Sequence, residues 1–265
     1  MTTTALHTPR TSRPDTSAGP AGIPMTRLVR VELRKLVDTL AGRWLLIGIA
    51  LVTVAAVAVY AVTAETAELT FEHFVNVTVL PQSWLLPVLG IMAVTSEWTQ
   101  RTGLVTHTLE PRRSRVLAAK FAATGMLGSL AVVLALAVAA LANVLASALL
   151  DGNGAWTYGV DGLRDTVLFQ ALSLLAGLAL GTLLMNTAAA ISLYFVLPTT
   201  FGLVFTMVDS LAGVAGWIDL STSQGPLFDH SIAGVEWLHL LATTTWWILL
   251  PLAAGLWRLL HREIK

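Results

Sequence analysis

Six long apolar stretches, at about 44–63, 76–95, 119–150, 166–186, 188–208 and 237–258, decide what this chain can fold into. Each has the roughly 20 residues a helix needs to cross a hydrocarbon core of about 30 Å. In hydrocarbon every backbone N–H and C=O must be satisfied within its own segment, so these stretches are expected as helices rather than open strands. Composition agrees, with 55% of residues hydrophobic and only 12% charged, well outside the balance of an ordinary soluble domain. The expected fold class is therefore an all-α integral membrane protein with six transmembrane helices. The third stretch is too long for one upright crossing and is expected to tilt or to extend past the headgroups. The turn between the fourth and fifth stretches, around Asn186 and Thr187, is very short.

Charge orients this topology. Of the 16 Lys and Arg residues, all but Arg164 fall on one side. Arg10, Arg13, Arg27, Arg30, Arg34, Lys35 and Arg43 precede the first stretch, and Arg101, Arg112, Arg113, Arg115 and Lys120 lie between the second and third. Arg258, Arg262 and Lys265 close the chain. Positive charge stays in the cytoplasm, so both termini are expected there, in a multi-pass protein of the plasma membrane. The opposite loops are acidic, carrying Glu65, Glu68, Glu72, Asp151, Asp161, Asp165, Asp209, Asp219, Asp229 and Glu236. The chain has no cysteine, which excludes disulfides and thiolate metal sites.

Residues 1–24 are rich in Thr, Ser, Pro and Gly, a composition that cannot repay the entropy of ordering, and are expected as a disordered cytosolic tail. From residue 25 to 43 the pattern changes. Val29, Leu33, Leu36 and Leu40 fall on one helical face, with Arg27, Arg30, Arg34 and Asp38 roughly opposite, as expected of an amphipathic helix lying in the headgroup plane. The simpler reading is a basic flank that anchors the first span. Residues 44–265 then form one six-span unit.

Catalytic signatures are missing. There is no GxxxxGK[ST] phosphate loop, no HExxH and no GxSxG, so no enzymatic activity, no bound cofactor and no metal are expected of this chain. Nothing suggests a nucleic-acid partner. Of the six histidines only His239 falls inside a stretch, and a ring reaching for the interface accounts for it. Glu97 and Glu236 stand at span ends with nothing ionisable expected between. Ion-coupled transporters need such groups near the midplane, which argues against that class.

The most informative segment runs from Ser96 to Lys120. It presents Glu97, Arg101-Thr102-Gly103-Leu104, Leu109, Pro111, Arg112, Arg113, Arg115 and Lys120 in that order. This order and spacing resemble the permease subunits of ABC-2 type ABC transporters. Glu32-Leu-Arg-Lys35 followed by Arg43 resembles the amphipathic elbow helix that opens those permeases, and residues 209–236, with Trp217, Asp219 and Gly225-Pro226, resemble their external segment. The similarity covers about residues 25–265.

The resemblance implies a permease that works with a separate ATPase subunit, on which ATP and Mg would bind, and with a second copy of itself or a related permease in a lipid membrane. It also implies export rather than import. Residues 96–115 would be a cytoplasmic coupling segment, with Glu97, Arg101, Thr102, Gly103, Arg112, Arg113 and Arg115 as its contacts. On physical grounds a helix from about Ser96 to Leu109, stopped by Pro111, would set Glu97 and Arg101 on one face, and Gly103 would admit a close backbone. The competing account pairs Glu97 with Arg101 and turns the three later arginines to anionic lipid. A protein that only anchors or interacts, and transports nothing, fits the hydropathy equally well.

Two smaller features complete the reading. Gly177 and Gly181 form a GxxxG pattern suited to close helix crossing. Most tryptophans stand near span ends, where indole prefers the interface; Trp246 and Trp247 lie deeper and are the substrate-facing candidates. No polar cluster in the sequence names a cargo.

Overall fold

The computed structural model describes residues 23–99 and 112–261. The chain is helical, with no strand among the described residues, and six helices are long and apolar enough to cross a membrane. A 14-residue helix, α1 (Met25–Asp38), leads into α2 (Leu40–Thr63). There follow α3 (Phe71–Thr99), α4 (Arg113–Leu149), α5 (Val160–Leu184) and α6 (Thr187–Met207). Two short helices, α7 (Ala212–Ile218) and α8 (Leu220–Phe228), precede the last long one, α9 (Glu236–His261).

Helix α3 is the centre of the bundle, packed mainly on α5, α4 and α2. Its closeness to α5 follows from the GxxxG pair. A Cβ on Gly177 would collide with the Pro87 backbone, and one on Gly181 would lie 2.5 Å from Val94 Cγ2 and 3.1 Å from Ile91 Cα. Across the same seam Gln170 Nε2 donates to Gln82 Oε1 at 3.1 Å, a buried amide pair. Helices α2 and α6 turn most of their apolar surface outward. With 37 residues, α4 is about 55 Å long at 1.5 Å per residue, so the third apolar stretch is one continuous helix.

The turns have local causes. Thr39 leaves the helical region at ψ 143°, and its hydroxyl accepts the Gly42 N–H at 3.2 Å, so α1 ends and α2 begins within one residue. A Cβ at Gly42 would overlap the Leu36 carbonyl, so the bend requires glycine. Between α5 and α6 the chain reverses through Met185, in the left-handed region at φ 53°, and Asn186, whose side chain caps α6 through the Ala189 N–H at 3.0 Å. Asp219 caps α8 in the same way, accepting the Thr222 N–H at 2.8 Å. Helix α9 widens to a π turn over Thr245–Leu249 just before Pro251, which has no N–H for the carbonyl four residues back.

Three expectations change. The amphipathic helix stops at Asp38, and Leu40, expected on its apolar face, begins α2 and is 72% exposed. Ser96 and Glu97 do not start a separate projecting helix, because α3 runs unbroken through Thr99. The loop expected over 209–236 instead contains two helices, and α8 packs its Leu220, Ser223, Gln224 and Leu227 inward against the bundle. The expected tail at 1–24 falls almost wholly outside the described residues, as do Arg101, Thr102 and Gly103.

Candidate functional site

Four charged side chains meet where α1, α3 and α4 come together. Glu32 is on α1 one turn before Lys35, so the two share a face and bond at 2.7 Å. Glu97 lies in the last turns of α3, and Lys120 two turns into α4. Lys35 Nζ donates to Glu97 Oε1 at 2.8 Å. Lys120 Nζ lies 2.8 Å from Glu32 Oε2, 3.1 Å from the Ala93 carbonyl and 3.3 Å from Glu97 Oε1. An ammonium carries three N–H donors, and here three oxygens surround it.

Burial sets the character of this cluster. Glu32, Glu97 and Lys120 are 6%, 7% and 4% exposed, whereas the Lys35 side chain is 37% exposed and opens on a cleft beside Trp44 and Met92. A buried charge is tolerable only when paired and hydrogen-bonded, and two carboxylates against two ammoniums leave no net charge. Burial acts to lower the Lys35 pKa, but its hydrogen bonds to Glu32 and Glu97 and their negative charge outweigh that and hold it above the ordinary lysine value. Glu97, expected at a span end, does stand in the last turns of α3, but it is buried there with Lys120, so the expectation that the spans lack buried charge changes. Lys120 carries four flexible methylenes, long enough for its ammonium to reach acids on two neighbouring helices.

The arginines nearby work on backbone carbonyls. Arg113 donates to the Leu259 carbonyl at 2.7 Å and so ties α4 to the end of α9; Arg115 donates to Ile23 at 2.6 Å, and Arg258 to Leu183 at 3.0 Å. The Leu259 and Leu183 carbonyls lie in the last turns of their helices, where no intrahelical partner exists, and guanidinium supplies one, whereas the Ile23 carbonyl lies just before α1. Arg112 and Arg43 are exposed. Lys35 and Lys120 are among the partners of Glu97, and its expected pairing with Arg101 lies outside the described residues.

At the opposite end of the bundle four acidic side chains, Asp161, Asp165, Asp219 and Glu236, are committed to partners. Arg164, the one cation there, bonds Asp161 at 2.9 Å and Asp165 at 2.8 Å and lies 5.4 Å over the Trp237 ring. Asp219 is 1% exposed and holds both Thr222 N–H and Oγ1, so its charge caps a helix instead of facing solvent. The His239 ring packs at 4.5 Å from that of Trp217. Trp246 is 59% exposed on the outside of α9, and Trp247 donates its indole N–H to the Ile218 carbonyl at 2.7 Å while packing on Phe201. Neither lines the cleft that opens under α8.

The partners within the charge cluster were not legible in the sequence, because they are 62 and 88 residues apart. One signal was available: two of only three lysines and two glutamates stand on the same side of the topology in nearly apolar surroundings. Comparison of the chain with protein-family models and with curated proteins returned no match.

Proposed function

We propose that this chain is the membrane-spanning permease subunit of an ATP-driven transporter of the ABC-2 type, exporting a substrate with energy supplied by a separate ATPase subunit. The observation that carries the reading is the Glu32–Lys35–Glu97–Lys120 cluster. It fastens an amphipathic helix to the ends of the two long helices that flank residues 100–111. Force applied to that connection by a cytoplasmic partner would move α1, α3 and α4 together, since parting any two of them would strand a buried charge.

In this reading α1 is the interfacial elbow, residues 96–115 are the coupling segment and both termini are cytoplasmic. Glu97 then transmits motion inside the bundle, and the partner meets Arg101 to Pro111 and the exposed Arg112. ATP and Mg bind the partner, because this chain lacks a phosphate loop. A second permease copy, or a relative, completes the pathway across the plasma membrane.

The test is affinity capture. The full chain, tagged at its C-terminus and gently solubilised, is expected to bring down an ATPase carrying a GxxxxGK[ST] loop. Arg101→Glu and Gly103→Trp are expected to abolish capture while leaving the elution profile unchanged. These variants are preferable to Glu97→Lys, which would break the buried cluster. Failure to capture any ATPase, under conditions that keep other membrane complexes intact, would favour the non-transporting anchor.

A further inference from the structure

Helices α3, α5, α6 and α8 diverge around a cleft of about 370 Å³, within the range of small-molecule sites. Five aromatic side chains line it: Trp84, Phe169, Tyr194, Phe195 and Phe228. Their rings contact one another at 6.4 Å for Trp84 with Phe195, 5.2 Å for Tyr194 with Phe195 and 5.6 Å for Phe169 with Phe228. No Asp, Glu, Lys, Arg or His is among the residues lining the cleft. An ion entering would lose its water and find no counter-charge.

Four of the five hydroxyls of this cleft have already spent their protons, and the other donors in its lining, Ser221 and the Trp84 indole, belong to exposed side chains. Ser83 donates to the Leu80 carbonyl at 2.7 Å, Ser173 to Phe169 at 2.8 Å, Thr199 to Phe195 at 2.7 Å and Tyr194 to Ser83 at 3.2 Å. Gln224 differs. Its side chain lines the cleft and is 7% exposed, yet its Nε2 is buried with no hydrogen-bond partner among the described residues. Buried amide donors are almost always satisfied, because leaving one unmet forfeits its hydration. The last side-chain torsion of glutamine is broad and two-fold, so rotation about it can exchange the amide ends and present the N–H to the cleft.

We propose that this cleft binds a neutral, lipophilic, aromatic molecule bearing a hydrogen-bond acceptor such as a ketone, ester or ether, and that Gln224 is the donor that receives it. The rings supply apolar and stacking contact, and the one buried unmet donor orients the ligand. Asp219, in the acidic external segment, is committed to its helix cap, and the cleft itself is lined by no charged side chain. As a statement about cargo this rests on the permease reading; as a statement about binding it does not.

The experiment is photolabelling of the full chain in phosphatidylcholine nanodiscs with 4-propargyloxybenzophenone, a neutral diaryl ketone whose carbonyl is both acceptor and photoreactive centre. Adducts are expected on peptides carrying Trp84, Tyr194 to Thr199 and Phe228, and excess benzophenone should remove them. At limiting probe, Gln224→Leu should lower labelling by about five- to tenfold, the effect of one lost hydrogen bond. Trp84→Leu, a change at a side chain 60% exposed that spares the core, should also lower it. Trp246→Leu, outside the cleft, should leave it unchanged.

Adducts spread over the outer faces of all the long helices without competition would overturn the site. So would labelling indifferent to both Gln224→Leu and Trp84→Leu, and competition by a quaternary-ammonium benzophenone as strong as by the neutral one would overturn its neutrality. Competed, Gln224-dependent labelling without a captured ATPase leaves the site standing and removes the permease; capture of the ATPase without such labelling does the reverse.

Discussion

The charge cluster at one end of the bundle and the cleft under α8 at the other are both polar sites in apolar surroundings, and they treat their polar groups in opposite ways. In the cluster four ionised groups from three helices satisfy one another, and Lys120 has an oxygen for each of its donors. In the cleft no group is ionised, and one amide has no partner. A set of buried charges that meet one another at hydrogen-bonding distance across three helices holds those helices in register. An incomplete neutral site, walled by aromatic rings, is poorly explained as a fastening and well explained as a receptor. Saturation of hydrogen-bonding capacity, more than polarity, separates a joint from a pocket.

The sharpest way to break this contrast is Lys120→Met. It leaves Glu32 and Glu97 buried against one half-exposed lysine, and unfolding stability in detergent is expected to fall by about 3–5 kcal/mol. Adding Glu32→Gln should recover part of the loss, because the stranded charge is then gone. If Lys120→Met instead unfolds like the parent protein, the cluster is not a joint.

Next in size is Gly177→Ala. Its new methyl meets the Pro87 backbone, which cannot yield as a side chain end would, and a cost of about 1–3 kcal/mol is expected from overpacking. Helix α3 supplies Glu97 to the cluster and Leu80, Ser83 and Trp84 to the cleft, so photolabelling and ATPase capture should weaken together. A change confined to one end would mean that the two sites are less coupled than the shared helix implies.

A smaller effect is expected from Asp219→Ala, about 1 kcal/mol for a lost helix cap, with Asp219→Asn nearly neutral because asparagine caps as well. Equal damage from both would show that charge, and not capping, matters at the cleft end.

Lys35→Met should cost least, at about 1 kcal/mol or below, because a half-exposed ammonium is screened by solvent. Its pKa is raised on folding, so its contribution is complete below the ordinary lysine value of 10.5 and disappears as pH climbs past the folded value. The Tm difference between wild type and Lys35→Met should therefore hold constant from about pH 8 to about pH 10 and shrink only above that. A gap that closes already near neutrality would contradict the raised pKa.

Much of the architecture was legible in the sequence. Apolar runs of spanning length marked all six long helices to within a few residues at most ends, because a window of hydropathy is a local property. Gly177 and Gly181 announced a close crossing through spacing alone. Thr39 was harder: a capping hydroxyl three residues before Gly42 divides what reads as one amphipathic run into two helices. The helices α7 and α8 were hidden because they are short, polar in places and interrupted by Gly225-Pro226, which reads as a turn.

What the sequence determined by itself was therefore which segments are long apolar helices and, through its lopsided charge, an expected orientation. Both depend on neighbours along the chain and on solvation. Tertiary structure alone decided that Glu32 and Glu97 belong to Lys120 and that Gln224 Nε2 sits without a partner in a cleft lined by five aromatic rings. Those outcomes depend on distances between residues that are far apart in the chain, and no local pattern of hydropathy or charge encodes such distances.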